Sequence, residues 1–121
     1  MRRPTETYEQ FDVVKVPLPF ADKTTNKRRP ALILTPAKRF NSKVGASIMA
    51  MITSQKSSKR FDWPLDIEIV DLEEAGLPCS SLIRWKLFTL DHRLILGCLG
   101  KLSARDRMKA EKQLRYLFSL D

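Results

Sequence analysis

The sequence predicts a mainly β protein, a small barrel of short antiparallel strands with one helix at its C-terminal end. Three observations carry this. Six short segments rich in aliphatic residues are separated by turn chemistry. A 3.6-residue apolar period appears only after Gly100. The regular strand–helix alternation of a parallel α/β sheet is missing. At 121 residues, of which 43% are hydrophobic, the chain suits one compact domain over residues 1–121 with a modest core.

In order, the expected strands are Val13 to Leu18, Ala31 to Thr35, Ala46 to Thr53, Leu65 to Val70, Leu82 to Trp85 and Leu94 to Leu99. The run LDIEIV alternates, as a strand with one wet face does. Pro17 and Pro19, Pro36, Gly45, Pro64, Gly76 with Pro78, and Gly100 punctuate the connections. Beyond Gly100, Ser103 is placed to cap a helix, with Asp106 three residues later in a capping-box-like arrangement. From Ala104 onward, Met108, Ala110, Leu114, Leu117 and Phe118 fall on one side, and Arg105, Lys109, Lys112 and Gln113 lie opposite or at the edges. Such a helix packs across an open side of the barrel.

Charge narrows the function. Twenty-two Lys and Arg against 14 Asp and Glu give a net +8. That balance favours a polyanionic partner, nucleic acid first. Cys79 and Cys98 make no metal-ligand spacing with His92, the single histidine, so neither a metal nor another cofactor is expected. Both cysteines read as structural thiols in a reducing cytosol. No apolar run approaches the ~20 residues of a membrane helix, and the start MRRPTETYEQ has no apolar core behind its arginines, so a cytoplasmic protein is expected.

Two segments carry candidate chemistry. In FDVVKVPLPFADKTTNKRRPALIL, a polar loop ends in Lys27, Arg28 and Arg29 directly before Pro30 and an apolar strand. Proline disfavours the helical region for the residue before it, so Arg29 is held extended. A fixed guanidinium matches phosphate oxygens two at a time. Taken alone, the segment is equally compatible with a solvated basic hairpin. In MAMITSQKSS, the run Ala46 to Ile52 ends in Thr53, Ser54 and Gln55. These groups can hydrogen-bond an oxyanion and are also ordinary turn formers.

In this order and separation, the two segments resemble the MazF/PemK family, sequence-selective endoribonuclease toxins of bacterial toxin-antitoxin pairs. VVKVPLPF, RRPALIL, ITSQ, SLIRWKLFTLD and LGKLS carry the resemblance, which covers nearly the whole chain. It implies an SH3-like barrel of the CcdB/MazF/Kid type, a homodimer, cleavage of single-stranded RNA (mRNA) without a metal, and a cognate acidic antitoxin. It also implies roles. Arg29 and Thr53 would be catalytic, as electrostatic clamp and hydrogen-bond donor on one phosphate. Lys27, Arg28, Ser54, Gln55, Arg84 and Lys86 would contact RNA. One departure stands out: some members have Arg-x-Asp, with the Asp proposed as base, where this chain has Arg84, Trp85 and Lys86. Members also often have an acidic residue near Thr24 or Thr25, where Asp22 is the nearest carboxylate here.

The remaining candidates favour structure. His92 suits a general base near neutral pH, but the family pattern does not use it, and a strand-end histidine is expected. Trp63 and Trp85 can stack bases, although packing is the stronger expectation for both. The cluster KSSKR from Lys56 to Arg60 suits steering of RNA. Two other classes stay open beside the nuclease: a non-enzymatic toxin of the same barrel inhibiting a protein such as gyrase, and an RNA-binding barrel whose catalysis has lapsed.

Overall fold

A computed structural model describes residues 8–17, 28–55 and 63–120. Strands β1 (Asp12–Pro17), β2 (Arg28–Ile33), β3 (Ala46–Ser54), β4 (Ile67–Glu68), β5 (Ser81–Asp91) and β6 (Gly97–Lys101) form one sheet in the order β4-β5-β3-β2-β1-β6. Every pairing is antiparallel, and the sheet curls into a half-barrel. A π-helical turn (Ala37–Asn41) runs into α1 (Ser42–Val44), α2 spans Leu72–Ala75, and the C-terminal helix α3 spans Ala104–Leu117.

Strand alternation sorts the aliphatic residues into two cores on opposite faces of the sheet. Val13, Leu32, Ala50, Ile52, Ile83 and Trp85 pack with Ala110 of α3 on one face, joined by Leu114 and Leu117. Val14, Val16, Ala31, Ile33 and Met49 pack with Tyr8 and Ile95 on the other, where Met51, Phe88 and Leu90 adjoin them.

Several expectations shift. Arg28 and Arg29 lie within β2 rather than on a loop, because β1 continues opposite them at Pro17 and Val16. Strand β5 runs on to Asp91, past the expected end at Trp85, since LFTLD keeps pairing with β3 as far as Ala46↔Asp91. LDIEIV pairs only at Ile67 and Glu68, and Leu94 lies in a 3-10 turn (His92–Leu94) before β6. In α3, Met108 and Phe118 are 72% and 54% exposed instead of buried. The inward positions are Asp106 and Ala110, flanked by Gln113, Leu114 and Leu117.

Ser103 Oγ does cap α3, accepting from the Asp106 amide at 3.3 Å. Asp106 is turned to another use. Its carboxylate, 1% exposed, accepts from the amides of Val70 (3.1 Å to each oxygen) and Asp71 (2.9 Å). Asp71 in turn is held by Ser103 Oγ and by a two-pronged Arg105 bond at 2.8 Å, which depresses its pKa. Helix α3 is thus fastened to the segment that follows β4.

Candidate nucleic-acid interface

Where strands β2 and β3 part, a polar mouth forms, and Pro30 accounts for its position. The β2–β3 ladder is paired from Ile33↔Met49 to Ala31↔Met51. Pro30 has no N–H to extend it and is tolerated in the sheet just where pairing to β3 stops. Continuing the same register two residues sets Arg29 across from Thr53. Alternation places both on the face of Ala31, Met49 and Met51, the face of the Tyr8 and Ile95 core. Arg29 is half-buried and held on its other side by pairing with Val16. Thr53 is buried and pairs with Leu82.

The flanking candidates divide. Ser54 pairs with Ser81, and its hydroxyl takes the Cys79 thiol at 3.6 Å. The Gln55 amide is bonded to the Ser80 carbonyl at 2.9 Å. Both therefore stand at the mouth on fixed backbone. Arg28 is exposed beside Arg29. Lys27 and the segments 18–27 and 56–62, with Asp22, Thr24, Thr25 and KSSKR, lie outside the described residues.

Arg84 faces Met51 across the β3–β5 ladder, so it shares the face of Arg29 and Thr53. Its guanidinium is gripped by Asp66, with Nη2 at 2.8 Å from Oδ2 and Nε at 3.3 Å from Oδ1. Two extra residues, Trp85 and Lys86, then bulge out before pairing resumes at Ala50↔Leu87. Bulges re-aim side chains. Here Trp85 turns into the core and donates its Nε1–H to the Leu65 carbonyl at 2.7 Å. Lys86 stands exposed, its ammonium 5.3 Å from the centre of the Trp63 ring. Trp85 is thus a packing residue as expected, while Trp63 is 37% exposed.

His92 begins the 3-10 turn after β5 and meets Ser47 Oγ at 2.7 Å and the Tyr8 ring at 4.9 Å between centroids. Burial lowers its pKa, with Asp91 opposing. It is the strand-end histidine expected. A separate cleft of 1070 Å³ opens at the far end of the sheet, where Lys38, Arg39, Arg107 and Arg115 mingle with Glu9 and Glu111. Its mixed charge and distance from the converging side chains leave the β2–β3 mouth as the candidate site. Asp66, which holds the Arg84 guanidinium, is a contact that sequence reasoning missed. Among the described residues no cluster of three His, Cys, Asp or Glu side chains is placed to hold a metal ion, and no helix is long and apolar enough to cross a membrane.

A curled antiparallel half-barrel with a terminal helix and cations beside a buried hydroxyl at one strand mouth defines a small β protein of the half-barrel type with a cationic mouth. The chain belongs to the PemK-like, MazF-like toxins of type II toxin-antitoxin systems, whose sequence model matches residues 9–118. Comparison with curated protein sequences returns no match. Among solved structures, MazF in the MazE–MazF complex of Deinococcus radiodurans is similar at TM-score 0.69 and 19% identity, covering 96% of this chain and 99% of that one. An endoribonuclease solved with its cognate antitoxin from a mycobacterial species gives 0.70 and 14%, covering 94% and 95%. Toxin MazF-mt6 of Mycobacterium tuberculosis gives 0.67 and 19%, covering 91% and 98%. At these identities the neighbours establish the fold.

Proposed function

We propose that the protein is a sequence-selective endoribonuclease toxin that cleaves single-stranded RNA using the RNA's own 2′-hydroxyl. The observation that carries the reading is that the β2–β3 register ends at Ala31↔Met51 beside Pro30 and, continued two residues, sets Arg29 across from Thr53. A phosphate seated there meets a two-pronged cation on one side and a hydroxyl donor on the other. The 2′-oxygen attacks phosphorus as its proton passes to a solvent water, and the bond to the 5′-oxygen breaks. The departing oxygen takes a proton from water. The protein's share is charge stabilisation on the phosphoryl oxygens, by donors fixed before the reaction begins. The Arg29 guanidinium serves as clamp rather than acid. Lys86, exposed over Trp63, suits contact with the RNA backbone rather than proton abstraction.

The reading extends to partners. Among the similar structures, MazF is found with MazE and an endoribonuclease with its cognate antitoxin. A net +8 chain suits an antitoxin with an acidic, partly disordered segment that occupies the Arg29 groove. The active form is a homodimer of one domain each, in the cytoplasm.

The test is incubation of pure protein with long single-stranded RNA in excess EDTA. Cleavage should persist and leave 2′,3′-cyclic phosphate and 5′-hydroxyl ends, and Arg29→Ala should lower the rate about 100-fold or more with the fold intact, as loss of one preorganised donor does. Products with 5′-phosphates, or wild-type rates from folded Arg29→Ala, would refute the mechanism. Sedimentation at micromolar concentration tests the dimer.

A further inference from the structure

We infer that Asp66 is the carboxylate of this site, acting as a positioning residue that fixes the Arg84 guanidinium for its phosphate contact. The inference rests on the endoribonuclease reading. Position 86, where the resemblance would put an acid, holds a lysine that the β5 bulge carries toward Trp63. The acid comes instead from the neighbouring strand. The β4–β5 register pairs Ile67 with Ile83, so the next pair outward is Asp66 with Arg84. The two-pronged bond follows that register, at 2.8 and 3.3 Å. The side chains are only 10% and 18% exposed.

Arginine carries large rotamer freedom, and a planar acid partner removes it before substrate arrives. Asp66 engages two of the five guanidinium N–H groups, those on Nε and Nη2. Arg84 shares its face with Arg29 and Thr53 through Met51, so what Asp66 fixes is a third group, and the second cation, beside the phosphate seat. By strand spacing, the Asp66 and Thr53 backbones stand about 12 Å apart, two strands across and one same-face step along, a span that accommodates a nucleotide step.

The backbone before Asp66 shows that its placement is enforced. Leu65 adopts φ +69°, a conformation that non-glycine residues rarely hold. Its carbonyl is pinned by Trp85 Nε1 at 2.7 Å and approached by Gln113 Nε2 of α3 at 3.5 Å. The bulge therefore sends Trp85 to secure the turn that delivers Asp66.

The test is a double-mutant cycle on RNA cleavage, with initial rates over a range of RNA concentrations and a melting curve for each variant. Asp66→Asn should lower kcat about 10-fold, and Arg84→Ala about 100-fold. The double variant should match Arg84→Ala alone, because Asp66 acts only through Arg84. Asp66→Glu, which keeps the charge pair, should recover most of the loss. A folded Asp66→Asn with wild-type kcat would overturn the inference, and so would an undiminished Asp66→Asn effect in the Arg84→Ala background. If Asp66→Asn does not fold, Arg84→Lys decides: it keeps the charge and loses the two-pronged fit, and full activity there would refute the assignment. An inactive wild-type protein would overturn the nuclease reading and this inference together, whereas an active wild type with an indifferent Asp66 would overturn this one alone.

Discussion

Replacing Asp106 with alanine should lower the melting temperature by about 8–16 °C. The carboxylate is 1% exposed and accepts from two backbone amides, those of Val70 and Asp71. Hydrogen bonds to a charged acceptor contribute roughly 1.5–3 kcal/mol each. Val70 is 45% exposed, so water reaches part of what the substitution uncovers, and the loss is nearer 2–4 kcal/mol in total. The ion pair with Lys109 at 3.5 Å, whose ammonium is largely in water, adds little. An unfolding entropy of about 2.1 cal/mol/K per residue converts that loss to the stated interval for a chain of 121 residues. Asp106→Asn keeps the volume and one acceptor oxygen and should lose about half as much. Circular dichroism at 222 nm during a thermal ramp reads both. A Asp106→Ala protein melting within about 2 °C of wild type would show that the Val70 and Asp71 amides gain nothing from the carboxylate.

Three further outcomes follow from particular contacts. Burial depresses the His92 pKa below 6.5, so its contribution to stability is complete above that value and is lost as pH falls through the lower folded value. Melting temperatures across pH 7.5 to 5 should fall less in His92→Gln, and an NMR titration placing His92 above 6.5 would contradict this. Gly100→Ala should cost about 3 kcal/mol or more by urea denaturation, because a Cβ there meets the Glu74 carbonyl and the Ala75 backbone; an unchanged midpoint would exclude that close approach. Trp63→Ala should weaken binding of single-stranded RNA by about 1–3 kcal/mol through lost stacking, and unchanged affinity in a filter assay would make Trp63 a bystander.

The parts of the fold legible in the sequence were those in which one face is buried over many residues. Strands β1 and β3 and helix α3 lie close to where the aliphatic periods put them. LDIEIV misled because alternation reports which side chains are buried, not whether the backbone has a strand beside it. Ile67 and Ile69 are buried, yet the Val70 amide belongs to Asp106. The turn at Ala37–Val44 went unread although Pro36 and a left-handed Gly45 bracket it. Its anchor is Asn41, fully buried and bonded to the carbonyls of Tyr8 and Thr35, and the Tyr8 contact is remote in sequence. In α3 the apolar side was drawn too wide, since an aspartate took the inward position that Met108 was expected to share. The candidate site divides the same way. Arg29 and Thr53 announce themselves by position at strand ends, whereas Asp66 joins Arg84 only through a register that no local pattern encodes.

The pairing of β1 with β6 has a consequence for the order of assembly. Strand β1 ends at Pro17 and its outer neighbour at Lys101, so β1 waits through roughly 80 further residues of synthesis, about 4–16 s at ribosomal speed, with one edge bare. During that wait β2 can already pair with it and β3 with β2, and the Arg29 mouth can begin to form on an unfinished sheet. Closure then depends on the last fifth of the chain, because β6 seals the edge of β1 and α3 covers one core. A nascent chain of this topology leaves the outer edge of β1 unpaired until β6 emerges. Protease protection of β1 in chains stalled before Gly97 would show instead that the first three strands fold by themselves.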